Sequence, residues 1–174
     1  MALTITDRLG SQGQAKSFDG ALSITPLSSA FLAGKSYRAY RAFSANTQLR
    51  VVATKPFLLT FQSMYCDAGA ATAVITVGST LGGTWTALPT KFPVNGVVSP
   101  APTPTTTIEE GGTITAGTER ERLRAGSGAG VGIVSTVVSP RLLPAGTYSI
   151  ALTVTGTTAA IYTIEYTELD TIPA

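Results

Sequence analysis

Alternation of apolar and polar positions, with no sustained helical period, organises this chain from Tyr37 onward. Ser36 to Phe43 and Gln48 to Thr54 each read as a strand, separated by Ala45-Asn46. Pro56 opens a nearly continuous apolar run to Tyr65, the pattern of a strand buried on both sides. Ala71 to Val77 is a further strand, bracketed by Gly69 and Gly78. Gly82-Gly83 reads as a turn into Thr84–Leu88, and Gly111-Gly112 as a turn into the short extended Thr113–Thr115. Near the end, Tyr148, Ile150, Leu152 and Val154 share one face, Gly156-Thr157-Thr158 reverses the chain, and Tyr162, Ile164 and Tyr166 line the next strand. Strict period two on both arms predicts an antiparallel hairpin.

Roughly eight to ten short strands with frequent turns predict an all-β protein, an antiparallel β-sandwich or jelly roll. Pro93, Pro100, Pro102 and Pro104 exclude an interior strand, so about 93–107 is expected to be a long exposed loop inside a single domain at 36–174. Residues 1–35 differ. They are rich in Ser, Gly and Gln, with isolated apolar anchors and no sustained period. Such a segment buries too little apolar surface to offset its ordering entropy alone, which predicts an extended N-terminal arm laid across a partner.

Composition turns the picture toward association. Charged residues are 13% of 174, about half the usual share. Mean hydropathy is +0.27, yet no run approaches the ~18 apolar residues of a membrane span. A charge-poor, mildly apolar chain tends to hide surface in an assembly. The start lacks a basic region followed by an apolar run, so synthesis and folding in a cytoplasm are expected. Charge is also uneven. Seven basic residues through Lys55 face only Asp7 and Asp19, whereas the remainder holds five basic and eight acidic ones. That asymmetry suits docking onto a negative surface or head-to-tail contact between copies, and is too dilute for a nucleic-acid stripe.

Candidate chemistry is sparse. There is no histidine to serve as a general base beside Ser127, and one cysteine with no histidine makes no zinc site. Cys66 follows an apolar run with nothing nearby to activate it, which predicts a buried, inert thiol. Gly34-Lys35-Ser36 lacks the upstream glycine of a phosphate-binding loop, position 29 being serine. The glycine-rich stretch 126–132 misses the dinucleotide spacing and reads as a loop. In Glu119-Arg120-Glu121-Arg122-Leu123-Arg124, a strand puts Glu119, Glu121 and Leu123 on one face and the arginines on the other. Carboxylates beside arginines have lowered pKa values, so a salt-bridge ladder is expected there instead of an acid/base pair. Of the aromatics, Tyr37, Tyr40, Trp85, Tyr148, Tyr162 and Tyr166, most are expected to fill a core, with a sugar-stacking platform as the lesser reading.

Four segments carry a resemblance: Phe61–Gly69, Gly82–Thr86, Gly117–Arg124 and Arg141–Tyr148. Together, over about residues 45–170, they are similar in style to small virion structural proteins of tailed bacteriophages. Such proteins are jelly-roll or sandwich modules that act as capsid cement or decoration, or build head fibres and tail accessories. The resemblance implies a non-enzymatic protein without cofactor, metal or catalytic residues. It would sit on the virion's capsid surface, bind the major capsid protein and bridge capsomers, as a dimer or trimer. Neither nucleic acid nor membrane is an expected partner. The expected contact residues are Leu3, Ile5, Leu22, Ile24, Phe31 and Leu32 as anchors, with Arg8, Lys16, Lys35, Arg38, Arg41, Arg120, Arg122 and Arg124 as charges. The alternative is a head-fibre, tail or baseplate accessory, or a carbohydrate- or receptor-binding module of a fibre.

Overall fold

A computed structural model of the chain describes residues 4–6, 12–14, 33–88, 91–94, 102–126, 133–137, 140–156 and 159–170. Among these there is no helix. In the arm, β1 (Thr4–Thr6) and β2 (Gln12–Gln14) pair antiparallel with each other. The rest of the proposed arm through residue 32 lies outside the described residues. The body is built from β3 (Ser36–Phe43), β4 (Thr47–Ala53), β5 (Phe57–Cys66), β6 (Ala70–Val77), β7 (Thr80–Ala87), β8 (Lys91–Pro93), β9 (Thr107–Thr115), β10 (Thr118–Ala125), β11 (Ile133–Val137), β12 (Arg141–Leu143), β13 (Gly146–Thr155) and β14 (Ala160–Glu168).

The pairings make one long antiparallel ribbon folded over on itself. β3 pairs with β14, β4 with β13, β5 with β11 and β12 end to end, and β6 with β10. Each successive rung of the ribbon lies in the other sheet. The first sheet runs β10-β6-β13-β4-β9-β7, and the second runs β11-β5-β14-β3-β8. Two sheets wrapped by one ribbon in this way are a jelly roll, and the expected sandwich class holds. β7, β8 and β9 come from the ribbon's tip and return to lengthen both sheets, β9 beside β4 and β8 beside β3.

This topology corrects the hairpin expected over 148–166. β13 and β14 are consecutive, yet β13 pairs with β4 and β6 while β14 pairs with β3 and β5. The connection is an arch between sheets. Its cause is the pair of bulky faces, Tyr148/Ile150/Leu152 and Tyr162/Ile164/Tyr166, which are all buried. Facing each other across the sandwich hides both, whereas side by side in one sheet would leave each needing another cover. Phe57 links the layers, edge-on to Tyr148 of the first sheet at 5.5 Å and to Tyr166 of the second at 6.1 Å. Such pairs add about 0.5–1.5 kcal/mol each beyond simple burial.

Three other expectations change. β5 is not covered on both sides; inward residues alternate with half-buried ones. Its register slips at Thr60, so Phe57 and Leu59 point inward, Phe61 outward, and Gln62, Met64 and Cys66 inward again. Neither glycine pair is a turn: β7 and β9 run straight through Gly82-Gly83 and Gly111-Gly112, with a bulge between Gly82 and Trp85. The reason is the Trp85 ring, which lies so close on Gly112 that a Cβ there would sit 2.2 Å from it. Arg50 covers the same ring, with Cζ 4.9 Å from the centroid. Finally, the end of the proline-rich loop is pinned to the body at Pro102 and Thr106, while Thr103 and Thr105 stay exposed as expected. Thr106 is buried, its N–H donates to Glu168 Oε1 at 2.6 Å, and the Tyr37 hydroxyl donates to the Pro102 carbonyl at 2.8 Å.

Three of the sheet edges are guarded against pairing with another chain. β10 carries five charges and a bulge, β7 a bulge at its glycines, and β8 is three residues long and ends in proline.

Candidate functional site

The ribbon decides what happens to the charges. By laying β3 against β14 and β4 against β9, it brings the basic first third onto the acidic remainder within one chain. Arg38 pairs with Glu165 and Arg50 with Glu109, while Arg41 Nε lies 2.5 Å from Glu110 as a charge contact without hydrogen-bond alignment. Lys35 and Lys55 reach the two oxygens of Asp170 at 2.7 and 3.1 Å, and their hydrogen bonds hold its carboxyl below the usual range. The asymmetry visible along the sequence is thus largely cancelled inside the fold.

The expected contact residues fall into three groups. Leu3, Arg8, Lys16, Leu22, Ile24, Phe31 and Leu32 lie outside the described residues, and Ile5 is in β1. Lys35, Arg38, Arg41 and Arg122 are in the body, each in an ion pair. Arg120 and Arg124 are exposed and have no ion-pair partner among the described residues.

β10 shows why the acidic pair was misplaced in the sequence reading. Glu121 follows Leu123 and Ala125 onto the inner face by simple alternation. An extra residue, Arg120, breaks the register with β6, so Glu119 pairs opposite Thr76 and turns to the outer face. There it accepts two hydrogen bonds from Arg122, at 2.9 and 2.6 Å, which lower its pKa. The two carboxylates therefore separate, and only Glu121 enters the interior.

Glu121 ends a polar chain that crosses the sandwich. The Tyr162 hydroxyl donates to Gln62 Oε1 at 2.6 Å, Gln62 Nε2 donates to Glu121 Oε2 at 2.7 Å, and Arg141 lies 2.7 Å from the same oxygen. Gln62 and Tyr162 are buried in the second sheet, and the Glu121 side chain is only 7% exposed. Burial first, and the Glu121 charge second, push the Tyr162 phenol far above its ordinary value, so it stays a donor. The sequence reading missed Gln62, Arg141 and Tyr162 as members of a site. Only the apolar setting of Gln62 within β5 hinted at it.

Beside this chain, at the β10 and β12 edge, a cavity of about 510 Å³ opens between the sheets. Leu59, Ile75, Val77, Leu143 and Tyr148 give it apolar walls, with Glu121, Arg141 and Arg120 as its charges. The site holds a single carboxylate, already bonded, with no second acid beside it. Its geometry suits binding and positioning. Among the described residues no cluster of His, Cys, Asp and Glu could hold a metal ion, and no helix is long and apolar enough to cross a membrane. Cys66 is buried, as expected.

A second feature lies on the outer face of the second sheet. Tyr40, Phe92 and Ile161 are 38%, 47% and 37% exposed, and the Tyr40 and Phe92 rings stack at 5.9 Å. Between Tyr40, Phe61 and Ile161 a shallow depression of about 460 Å³ has Ser63 and Thr163 as hydroxyls. Tyr37, Tyr148, Tyr162 and Tyr166 are core residues, in line with the favoured reading of the aromatics. No protein-family model, curated protein or solved structure matches this chain.

Proposed function

We propose that this chain is a non-enzymatic virion structural protein, a capsid cement or decoration protein that stabilises a head shell by bridging capsomers. The jelly roll associates with copies of itself, and the arm reaches the major capsid protein. One observation carries this reading. Tyr40, Phe92 and Ile161 make the outer face of the second sheet an exposed apolar surface, and Arg38 on that face is already matched by Glu165. A neutral face with aromatic knobs and hydroxyls complements an equally neutral one, and a second copy supplies it. Many weak contacts on a shell then sum by multivalency.

The test is sedimentation of the full chain and of the Tyr40→Asp/Phe92→Asp variant. The wild type is expected to sediment as a dimer or trimer at micromolar concentration and the variant as a monomer. Loss of the stacked pair should lower stability by about 1–2 kcal/mol, leaving the variant folded. A monomeric wild type would remove this reading. The aromatic-lined depression with its two hydroxyls favours the alternative, a carbohydrate-binding fibre or tail module. A monomer that binds polysaccharide there is the outcome in its favour.

A further inference from the structure

We propose that the cavity between the sheets is a binding site for an amphipathic monoanion, a medium-chain carboxylate. The cavity is open to solvent at the edge where the two sheets part, so a small ligand can enter it. Its size falls within the roughly 300–1,000 Å³ of small-ligand sites. The walls are aliphatic from both layers, Leu59 and Leu143 from the second sheet and Ile75 and Val77 from the first, with Tyr148 among them. Such walls offer water few hydrogen bonds, and an alkyl chain gains by replacing it.

The head group follows from the charges. Two arginines and one glutamate are among the lining residues, an excess of one positive charge. Glu121 accepts the Gln62 amide on Oε2 and holds one nitrogen of Arg141 there as an ion pair; the Arg141 side chain is 39% exposed and carries further N–H donors. Arg120 has no ion-pair partner among the described residues. It is also the bulge residue of β10. Without the bulge it would alternate with Arg122 and Arg124 on the outer face; with it, Arg120 lines the cavity. Re-aiming a side chain in this way is a recognised use of a bulge at a binding site. An exposed cation beside a buried apolar recess matches a ligand whose charge stays near solvent while its chain enters. This inference is independent of the assembly reading, since the cavity lies between the sheets and the proposed contact between copies lies outside the second one.

Isothermal titration of the full chain with decanoate and octanoate, below their micelle concentrations, tests it. Decanoate is expected to saturate at one per chain, with affinity falling about fourfold for each methylene removed. The methyl NMR signals of Leu59, Ile75 and Leu143 should shift on binding. Arg120→Ala should weaken decanoate about tenfold without changing the melting temperature. Val77→Phe, which fills the recess, should abolish binding; if that variant does not fold, Leu143→Phe serves the same purpose. Decanol and decyltrimethylammonium, of equal chain length, should bind at least tenfold more weakly. Absence of saturable decanoate binding, equal binding of the cationic amphiphile, or shifts confined to other methyl groups would overturn the proposal.

Discussion

Gly69→Ala is expected to destabilise the protein by about 3–5 kcal/mol, a large loss for the addition of one methyl group. Gly69 forms the corner where the chain leaves β5 in the second sheet and enters β6 in the first. That corner is stacked on the arch between β13 and β14. The Asp67 N–H donates to the Ala159 carbonyl at 3.0 Å, and Asn46 Oδ1 braces the same end by accepting the Val154 N–H at 2.9 Å. A methyl group on Gly69 would lie 2.1 Å from the Thr155 carbonyl oxygen and 2.6 Å from Gly156, at a φ of +60°. Both obstacles are backbone, which cannot rotate away as a side-chain tip can. Two arches that hold the sheets in register would have to separate. Gly78→Ala is the matched control: its φ is +67°, but nothing lies within 4 Å of the added methyl. That change should cost only about 1 kcal/mol, the conformational part alone. Urea unfolding of both variants measures the difference, and equal losses would show that the stacked arches give way easily.

Glu121→Ala is the second large effect, a loss of about 2–4 kcal/mol. The carboxylate accepts the Gln62 hydrogen bond and pairs with the Arg141 charge, so its removal strands a buried amide and leaves the guanidinium unpaired. Arg141 is 39% exposed and can turn toward water, which keeps the loss below that of a fully buried pair. Glu121→Gln retains an acceptor for Gln62 and gives up only the charge, so about half the loss should return. Denaturant midpoints at constant m-value check both. A loss under 1 kcal/mol for the alanine variant would mean that the polar chain across the sandwich contributes little.

Period two was enough to place individual strands. The strand read at Ser36–Phe43 is β3 with the same bounds, and Tyr148, Ile150 and Leu152 are buried together as their spacing implies. Period two says which face a residue takes but not which sheet its strand joins, and so β13 and β14 read as a hairpin when they are an arch. Bulges were equally hidden. One extra residue at Arg120 sends Glu119 to the opposite face, and one at Thr60 exchanges Phe61 for Gln62. Nothing local marks either, because each is set by the register of the neighbouring strand. Gly82-Gly83 and Gly111-Gly112 carry the composition of turns, but the second pair meets a demand made by Trp85 from across the sheet. The site was hardest to see for the same reason. Its members come from β5, β10, β12 and β14, separated by up to 100 residues between Gln62 and Tyr162. The charge asymmetry was visible, but its cancellation required knowing that the two ends of the ribbon lie side by side.

The claim on which the account rests is that this chain acts through where it sits, as a brace on a larger shell. Head shells stripped of the protein, incubated with the purified full chain and imaged by electron microscopy, test that directly. Ordered added density at repeating surface sites, together with a higher shell melting temperature, is the predicted result. Shells that remain bare and melt unchanged, beside a protein known to be folded, would contradict it.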